Sequence, residues 1–457
     1  MNVTSYKVTI TGTLFVVGVL CAGVGRSVAA EGPEYLQPVA EKSPSTTAPM
    51  ANGRLQPSGV YEQAPVTSVD EEPCTEFCGT TVCSPPGRFW LRADYLMWWT
   101  SGMKLPALVA TGSVANPTVL YGNSTVDDGG RSGYRGTLGM WIDACHVYGI
   151  EFDYLNLGEQ ASDYSRFSTG DPNLFRPFFN VQPNSQGIAK GPDGEIVASP
   201  GVSSGTVSVT AKDYFQSAGV TLSYNLCSCN GCCDSCDGGN DACDCTCGPP
   251  SLNCCRADLL LGFRCYDLND SVGIHENLTG TSPTFATFDI HDNFTARNEF
   301  YGSELGLRTR LYRKRWSLEV LTKIAMGNTH QTATIGGQTV KTTLEGTTVY
   351  TGGLLALDNP PANIGTYQQD TFTLIPQLGL ELGYQLSCHW RAYVGYNVMY
   401  WGSVWRAADQ IDLHVDPRNV PSNPNFSPTS ALPFPQFPAQ ASAFWAQGVN
   451  VGLERRF

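Results

Sequence analysis

The feature that most constrains the fold of this chain is strict alternation of apolar and other residues over long stretches. In residues 89–99 every second side chain is apolar, and Arg92 and Asp94 lie between them. Successive side chains of a β-strand point to opposite faces, so this period predicts strands with one apolar face. The same alternation recurs at 134–143, 148–154, 217–224, 258–264, 304–311, 316–326, 372–385, 391–400 and 445–457. Such segments suit tilted membrane strands, which need roughly 9–11 residues.

The connections between these strands alternate between short and long. Tight turns are expected at 143–146, 312–315 and 386–389, and long polar stretches at 100–132, 158–205, 268–296, 330–368 and 402–442. Segments 203–212 and 328–341 could supply two further strands. We therefore predict an all-β fold, an antiparallel transmembrane β-barrel of about 10–12 strands with short periplasmic turns and long extracellular loops.

A secreted sandwich or a soluble barrel would also alternate, so three further features decide between these folds. The apolar faces carry almost no charge, whereas the opposite faces carry ions of both signs. Aromatic residues cluster at strand ends, at 89–90, 98–99, 400–401 and 444–445, where we expect interfacial girdles. Phe457 ends a final amphipathic strand, as expected of a signal for the outer-membrane assembly machinery. Together they favour a barrel that contacts outer-membrane lipids.

The first part of the chain predicts export. Residues 1–30 combine Lys7, a short apolar run and small residues near Ala29, the pattern of a cleaved secretory signal peptide. Residues 31–87 are rich in Pro, Ser and Thr and predict a periplasmic linker, which leaves 88–457 for the barrel. We expect the protein in the outer membrane of a Gram-negative-type bacterium.

The net charge argues against one class of partner, and the placement of the charged residues leaves two interpretations of the barrel lumen. A net charge of -13 argues against binding of nucleic acid. The candidate lumen-facing ions are Arg92, Asp94, Arg135, Glu151, Asp153, Asp258, Arg264, Glu304, Arg308, Glu319, Lys323, Glu381, Arg391 and Glu454. They would form either a selectivity lining or a paired core that fills a narrow barrel. Barrels of about eight strands are just filled by side chains, so a mostly filled lumen is favoured.

Other polar clusters point to structure rather than catalysis. The six His show neither metal nor triad spacing, and we expect no catalytic, metal or cofactor site. Acidic residues crowd 409–416, where a calcium site competes with a loop held by Asp-to-backbone hydrogen bonds, and the second is favoured.

Ten cysteines crowd one predicted periplasmic turn, 227–255. They are Cys227, Cys229, Cys232, Cys233, Cys236, Cys243, Cys245, Cys247, Cys254 and Cys255. Removing the signal peptide takes Cys21 from the total of 17 and leaves an even number, which favours disulfides. A soft-metal thiolate cluster and crosslinks to an envelope partner remain alternatives.

Residues 88–457 resemble the seventh putative β-barrel porin family, outer-membrane proteins abundant in planctomycete-type bacteria. The matching segments are 89–99, 256–264, 297–308, 315–337, 363–386, 395–412 and 444–457. The resemblance implies a barrel with porin-like passive solute passage or a structural envelope role, and no catalytic residues. The cysteine-rich 227–255 departs from the family, which has a short turn there. The alternative function is a secreted, disulfide-crosslinked surface protein of the envelope without a pore.

Overall fold

The computed structural model describes residues 87–143, 146–228, 254–281, 286–358 and 361–457. Its strands are β1 (Phe89–Thr100), β2 (Met103–Leu105), β3 (Val109–Ser113), β4 (Asn116–Tyr121), β5 (Ser124–Val126), β6 (Gly130–Trp141), β7 (Tyr148–Ser168), β8 (Leu174–Pro183), β9 (Ala189–Ala198), β10 (Ser203–Ser228), β11 (Cys254–Gly280), β12 (Thr287–Arg313), β13 (Trp316–Thr343), β14 (Gly346–Thr351), β15 (Gly365–Gln385), β16 (Trp390–Trp405), β17 (His414–Val415) and β18 (Ala441–Arg456). Three short 3-10 helices are η1 (Ala408–Gln410), η2 (Pro417–Asn419) and η3 (Pro428–Ser430). Across these ranges, no helix has the length and apolar character needed to cross a membrane.

Ten of the strands close into one antiparallel barrel, in the order β1, β6, β7, β10, β11, β12, β13, β15, β16 and β18. Closure is made by β18, which pairs with β1 along eleven positions from Trp90–Arg456 to Thr100–Ala446. The predicted fold class is confirmed, and the barrel has ten strands. The two further strands expected at 203–212 and 328–341 are not separate strands, so a count of twelve is wrong. These segments are parts of β10 and β13.

Four neighbouring barrel strands are much longer than a membrane requires. Strands β10, β11, β12 and β13 contain 26, 27, 27 and 28 residues, whereas spanning a bilayer takes roughly 9–11. The stretch 268–296, predicted to be a long loop, is therefore mostly strand, with its turn between Gly280 and Thr287. The wall of the barrel continues beyond the apolar band on the side of the long connections.

The long connections fold over this end of the barrel as a cap. We use this name for β2–β5, β8, β9, β17, η1–η3 and the loop 352–358. Strand β8 lies at its centre, pairing with β9 and β3 and, in parallel, with β17. Apolar cap residues such as Leu174 and Leu355 belong to the same buried cluster as Val209 and Ile274 of the barrel wall. Burial of this cluster holds the cap in the mouth of the barrel.

Side chains of the wall alternate between the outer surface and the interior. Apolar side chains such as Leu91, Leu380 and Val451 are about half exposed on the outside, with relative accessibilities of 48%, 53% and 55%. Large apolar residues left exposed around the whole circumference are what a lipid-facing wall requires.

Half of the expected aromatic girdle lies inside the barrel instead. Phe89, Trp99 and Tyr400 are exposed on the outer surface. Four other side chains assigned to girdles are buried in the interior, namely Trp90, Trp98, Trp401 and Phe444. The assignment of these four was wrong because neighbouring residues of a strand face opposite sides, so only one of two adjacent aromatics can contact lipid.

Candidate functional site: the barrel lumen

The half of the lumen nearer Phe89 and Phe457 contains a layer of ions, because the inward positions of the strands there are charged. We call it the ionic layer. Its cations are Arg92, Arg135, Arg256, Arg264, Arg308, Arg310, Lys323, Arg391 and Arg456, and its anions are Asp94, Glu151, Asp153, Asp258, Glu304, Glu319, Glu381 and Glu454. Each of these side chains forms an ion pair with another member of the layer.

The structure places all fourteen lumen ions named from the sequence in this layer. Twelve are buried, and the side chains of Arg135 and Asp153 are each 15% exposed. Sequence reasoning missed Arg256, Arg310 and Arg456 as members. A signal existed for the last two, because Arg310 follows Arg308 and Arg456 follows Glu454 at the same period of two.

Pairing within the ionic layer is close and often multiple. Arg308 binds Glu151 through both terminal nitrogens, at 2.6 Å each. Glu304 accepts hydrogen bonds from Arg264 Nε at 3.1 Å and from Lys323 Nζ at 2.7 Å. Bidentate and shared pairs of this kind consume the donors and acceptors that a passing ion would need. The layer is therefore built as a paired core.

An apolar layer lies above the ionic layer, toward the cap. Its members are Leu96, Trp98, Leu155, Leu157, Phe215, Tyr266, Leu268, Phe300, Ala325, Ile375, Met399, Trp401, Val404, Phe444 and Ala446. The ring of Phe215 lies 5.2 Å from that of Phe444, and the ring of Tyr266 lies 6.0 Å from that of Trp401. The Trp401 indole N–H donates to Thr329 Oγ1 at 3.1 Å, which satisfies its one donor. Interlocked rings from opposite walls obstruct the lumen at this level.

A chamber of ≈ 70 Å³ lies between the two layers. Its lining combines ions such as Arg92 and Glu151 with Phe215 and the amides of Gln377 and Asn397. A polar cavity of this volume has room for several water molecules. The chamber offers a space in which water could hydrate the ions of the layer below it.

Polar contacts attach the cap to the barrel above the apolar layer. Arg406, which follows β16, pairs with Asp270 of β11 and donates from Nη1 to the carbonyl oxygen of Ser101 at 2.9 Å. Asn298 of β12 accepts from the backbone N–H of Trp405 at 2.8 Å and donates to its carbonyl at 2.8 Å. These bonds fix the start of the long β16–β18 connection inside the mouth.

A buried cluster that we call the Arg176 lock joins β8 of the cap to the barrel wall. Arg176 donates to Glu276 Oε1 at 2.6 Å and to Asp292 Oδ2 at 2.7 Å. Asp292 also accepts from backbone N–H groups, including that of Ala356 at 2.9 Å. Burial raises the pKa of Glu195 in β9 to about 8, and the nearby Glu276 carboxylate adds to this shift. A neutral Glu195 leaves one buried cation facing two carboxylates.

The acidic loop at 409–416 is held by hydrogen bonds to its own backbone, as favoured from the sequence. Asp416 accepts from the backbone N–H of Arg418 at 3.1 Å and of Leu432 at 2.8 Å. Asp412 accepts from the N–H of His414 at 3.0 Å and of Gln436 at 2.9 Å. These bonds order the long connection that forms part of the cap.

Several predictions fall on residues outside the described ranges. They are the signal peptide, almost all of the linker, and Cys229, Cys232, Cys233, Cys236, Cys243, Cys245 and Cys247. Cys227 lies at the end of β10, while Cys254 and Cys255 begin β11, opposite Tyr312 and Leu311 of β12. Antiparallel order places these strand ends on the same side of the barrel as Phe89 and Phe457. The disulfides proposed for the segment stay a prediction.

Phe457 completes the seam between the first and last strands. Its carbonyl oxygen accepts from the backbone N–H of Arg88 at 2.7 Å, and its own N–H donates to Phe89 at 2.9 Å. Its ring is 56% exposed, with the Arg455 guanidinium 4.6 Å from the ring centroid. The residue thus presents an aromatic ring at the edge of the wall.

Deleting Phe457 is expected to lower the amount of protein inserted in the outer membrane while leaving export intact. The deletion removes both the ring and the backbone bonds that Phe457 makes to residues 88 and 89 at the end of the seam. Fractionation and heat-modifiability on gels would measure insertion, and Phe372→Ala is the control, because it removes another exposed ring from the wall. Normal outer-membrane levels of the deletion variant would contradict an assembly role for Phe457.

Comparison with known proteins gives one family match. A family model described as Putative beta barrel porin-7 (BBP7) matches residues 90–457. No sequence among curated proteins matches the chain significantly.

Three solved structures resemble the fold at low sequence identity. The outer membrane protease OmpT of Escherichia coli is 10% identical, with a TM-score of 0.36 and coverage of 80% of this chain and 97% of its own. The P. putida toluene transporter TodX is 8% identical, with a TM-score of 0.20 and coverage of 82% and 93%. A Pseudomonas aeruginosa FadL homologue is 11% identical, with a TM-score of 0.20 and coverage of 81% and 90%. The family match spans the whole barrel, and the chain therefore belongs to the Putative beta barrel porin-7 family of outer-membrane β-barrels.

Proposed function

We propose that this porin-family protein is a plugged outer-membrane barrel with a structural role in the envelope and no catalytic activity. The observation that carries the proposal is the stack of the paired ionic layer, the apolar layer and the cap along one lumen. A hydrated ion would have to lose its water at the apolar layer, and hydrophobic constrictions of this kind block conduction by dewetting.

The charge balance of the ionic layer supports a packed interior over a selectivity filter. It contains nine cations and eight anions among the described residues, all in ion pairs. A filter needs rings of one sign that face a water-filled path. Here the opposite charges neutralise one another across a ten-stranded barrel, which is only slightly wider than barrels that side chains fill.

The partners that fit this role are the lipids of the outer membrane, the outer-membrane assembly machinery and components of the periplasmic envelope. Export through a signal peptide at 1–30 and a linker at 31–87 belong to the same proposal. The cysteines of 227–255 follow the periplasmic end of β10, where oxidised thiols would stiffen the turn or crosslink the barrel to an envelope partner. The rigid wall and its tethered turn would then act as one anchored unit.

Purified protein in planar bilayers should show no stable conductance steps, while a sixteen-stranded porin recorded in the same bilayers does. The variant Trp98→Ala with Trp401→Ala and Arg176→Ala opens the apolar layer and releases the cap, and it should conduct. Phe372→Ala, which changes only the outer surface, should behave like the wild type. Wild-type steps as large as those of the triple variant would overturn the proposal.

Passive solute passage is the second candidate, and the chamber between the layers favours it. Its polar lining would hydrate a small solute once the apolar layer and the cap had moved aside. That function requires conduction by the wild-type protein, so the same recordings decide between the two candidates.

A further inference from the structure

Two histidines and an aspartate converge on the outer surface of the barrel, on the extension that carries the cap. His275 of β11 and His291 of β12 are direct partners in the antiparallel register. Asp289 precedes His291 by two positions and shares its face of the strand. Their neighbours Ile274 and Ile290 are fully buried, so the three polar side chains point away from the lumen. None of them belongs to the layers described above.

The three side chains bring one ligand atom each close together. Asp289 Oδ1 lies 3.1 Å from His275 Nε2 and 2.7 Å from His291 Nε2, and all three atoms lie within 4.8 Å of one another. The imidazole rings stack with centroids 4.1 Å apart and an angle of 6° between their planes. Each side chain is 40–42% exposed, so an ion can reach the cluster from solvent.

We propose that His275, Asp289 and His291 form a binding site for a divalent transition-metal ion such as Zn²⁺ or Cu²⁺. Imidazole nitrogen suits these metals, and the carboxylate adds an oxygen ligand and a negative charge. With bonds of about 2.0–2.1 Å, tetrahedral Zn²⁺ separates its ligand atoms by about 3.3 Å. Here the carboxylate oxygen lies 3.1 and 2.7 Å from the two ring nitrogens, and the nitrogens lie within 4.8 Å of each other. Three protein ligands leave one position for water or an outside ligand.

Paired strands hold this arrangement in place. Ligands on regular elements keep their geometry better than ligands on loops, and the β11–β12 register runs unbroken from Cys254–Tyr312 to Thr279–Thr287. Asp289 can also accept N–H bonds from both imidazoles in the absence of metal. Metal binding then requires each imidazole to carry its proton on Nδ1, which leaves Nε2 as the ligand, and the ring nitrogens need only small rotations to converge.

The chain contains a matched control on the same outer wall. His330 of β13 and Asp370 of β15 form a single pair, with 3.0 Å between Nδ1 and Oδ1. This pair has the same ligand types and an exposed position, but it lacks a second imidazole. Two ligands hold a metal far more weakly than three, so the variant His330→Ala should leave binding unchanged.

The test is Cu²⁺ and Zn²⁺ binding by the folded full chain in detergent, with its thiols reduced and alkylated so that cysteines do not compete. Electron paramagnetic resonance should report two imidazole nitrogens on one Cu²⁺ per chain, and calorimetry should report matching Zn²⁺ binding. His291→Ala and Asp289→Asn should each weaken the affinity at least about tenfold, equivalent to ~1.4 kcal/mol.

Two results would overturn the site. One is a wild-type spectrum without two coordinated imidazoles. The other is a loss in His330→Ala as large as that in His291→Ala, which would indicate adventitious binding by surface histidines. Thermal unfolding of each variant without metal separates loss of ligands from loss of fold. Conductance is not measured, so failure of the metal site leaves the proposed plugged barrel untouched.

Discussion

Replacing Arg176 with Ala is expected to destabilise the protein by about 3–5 kcal/mol, because it leaves two buried carboxylates without their cation. Glu276 and Asp292 are fully buried on the barrel wall, and Arg176 is their shared partner from the cap. Asp292 retains its backbone donors, including the N–H of Ala356, whereas Glu276 loses its 2.6 Å ion pair with Arg176. The loss of stability should therefore come mainly from the unpaired carboxylate of Glu276, which faces β8.

The free energy of unfolding in urea, measured on protein folded into lipid vesicles, provides the test. Lys212→Ala is the matched control, since Lys212 pairs with Glu159 on the same extension but with side chains 45% and 55% exposed. Exposed pairs contribute about 0–1 kcal/mol, so this variant should be nearly neutral. A double variant that combines Arg176→Met with Glu276→Gln should recover part of the free energy of unfolding that Arg176→Ala loses.

The loss of stability in Arg176→Ala should be accompanied by faster protease cleavage within 169–202, because the Arg176 lock holds β8 and β9 in the mouth of the barrel. Equal effects of Arg176→Ala and Lys212→Ala would mean that the buried cluster does not hold the cap. A large loss of stability without greater cleavage would place the effect in the wall instead.

The ten-stranded barrel could be predicted because alternation survives in every membrane-spanning segment. The long extensions could be predicted only in part, as separate strands at 203–212 and 328–341. In β11 the outward side chains Leu259 and Leu261 are apolar and exposed, as lipid requires. Farther along the same strand the pattern inverts, and the inward side chains Val272 and Ile274 become the apolar ones. Along the extension, water replaces lipid outside and the cap replaces ions inside. A search for strands with an apolar outer face and a polar inner face therefore assigns the extension to a loop.

The lumen shows the same limit in another form. Alternation indicates which charged residues point inward, but it contains no information about partners. Arg308 and Glu151 are separated by 157 positions, and they meet only because the barrel closes. Similarly, Trp98 and Trp401 belong to strands that are far apart in the sequence, and they join one buried layer only because the barrel closes. Closure, rather than local sequence, turns a set of ions and aromatics into a plug.

Placing Arg at Leu380 is expected to destabilise the barrel by roughly 2–4 kcal/mol, the cost of a cation near the bilayer midplane. Leu380 of β15 is 53% exposed on the outer surface. It lies between Val320 of β13 and Tyr396 of β16, the two strands that flank β15. Both neighbours are also large exposed side chains, and neither carries a negative charge that could pair with an Arg there. Val451→Arg, at a second exposed site, should behave alike.

The control must separate the effect of a lipid-facing charge from the effect of replacing Leu with an unbranched side chain. Leu380→Met keeps the site apolar and should cost little. Gln377→Arg places the same cation on the inner face of the same strand, where Gln377 lines the chamber. Water in that chamber can solvate the guanidinium, so its cost should be well below that of Leu380→Arg. All variants are compared by unfolding from vesicles of the same lipid composition.

The Leu380→Arg result also decides between a membrane barrel and a secreted one. On a water-facing wall, an Arg at a half-exposed position would cost almost nothing, since its charge would stay hydrated and its stem would cover the apolar neighbours. In lipid the same charge must snorkel or drag water inward. Equal free energies for Leu380→Arg and Leu380→Met would thus remove the lipid-facing assignment, whereas a loss confined to the outer face identifies the bilayer as the solvent of this wall.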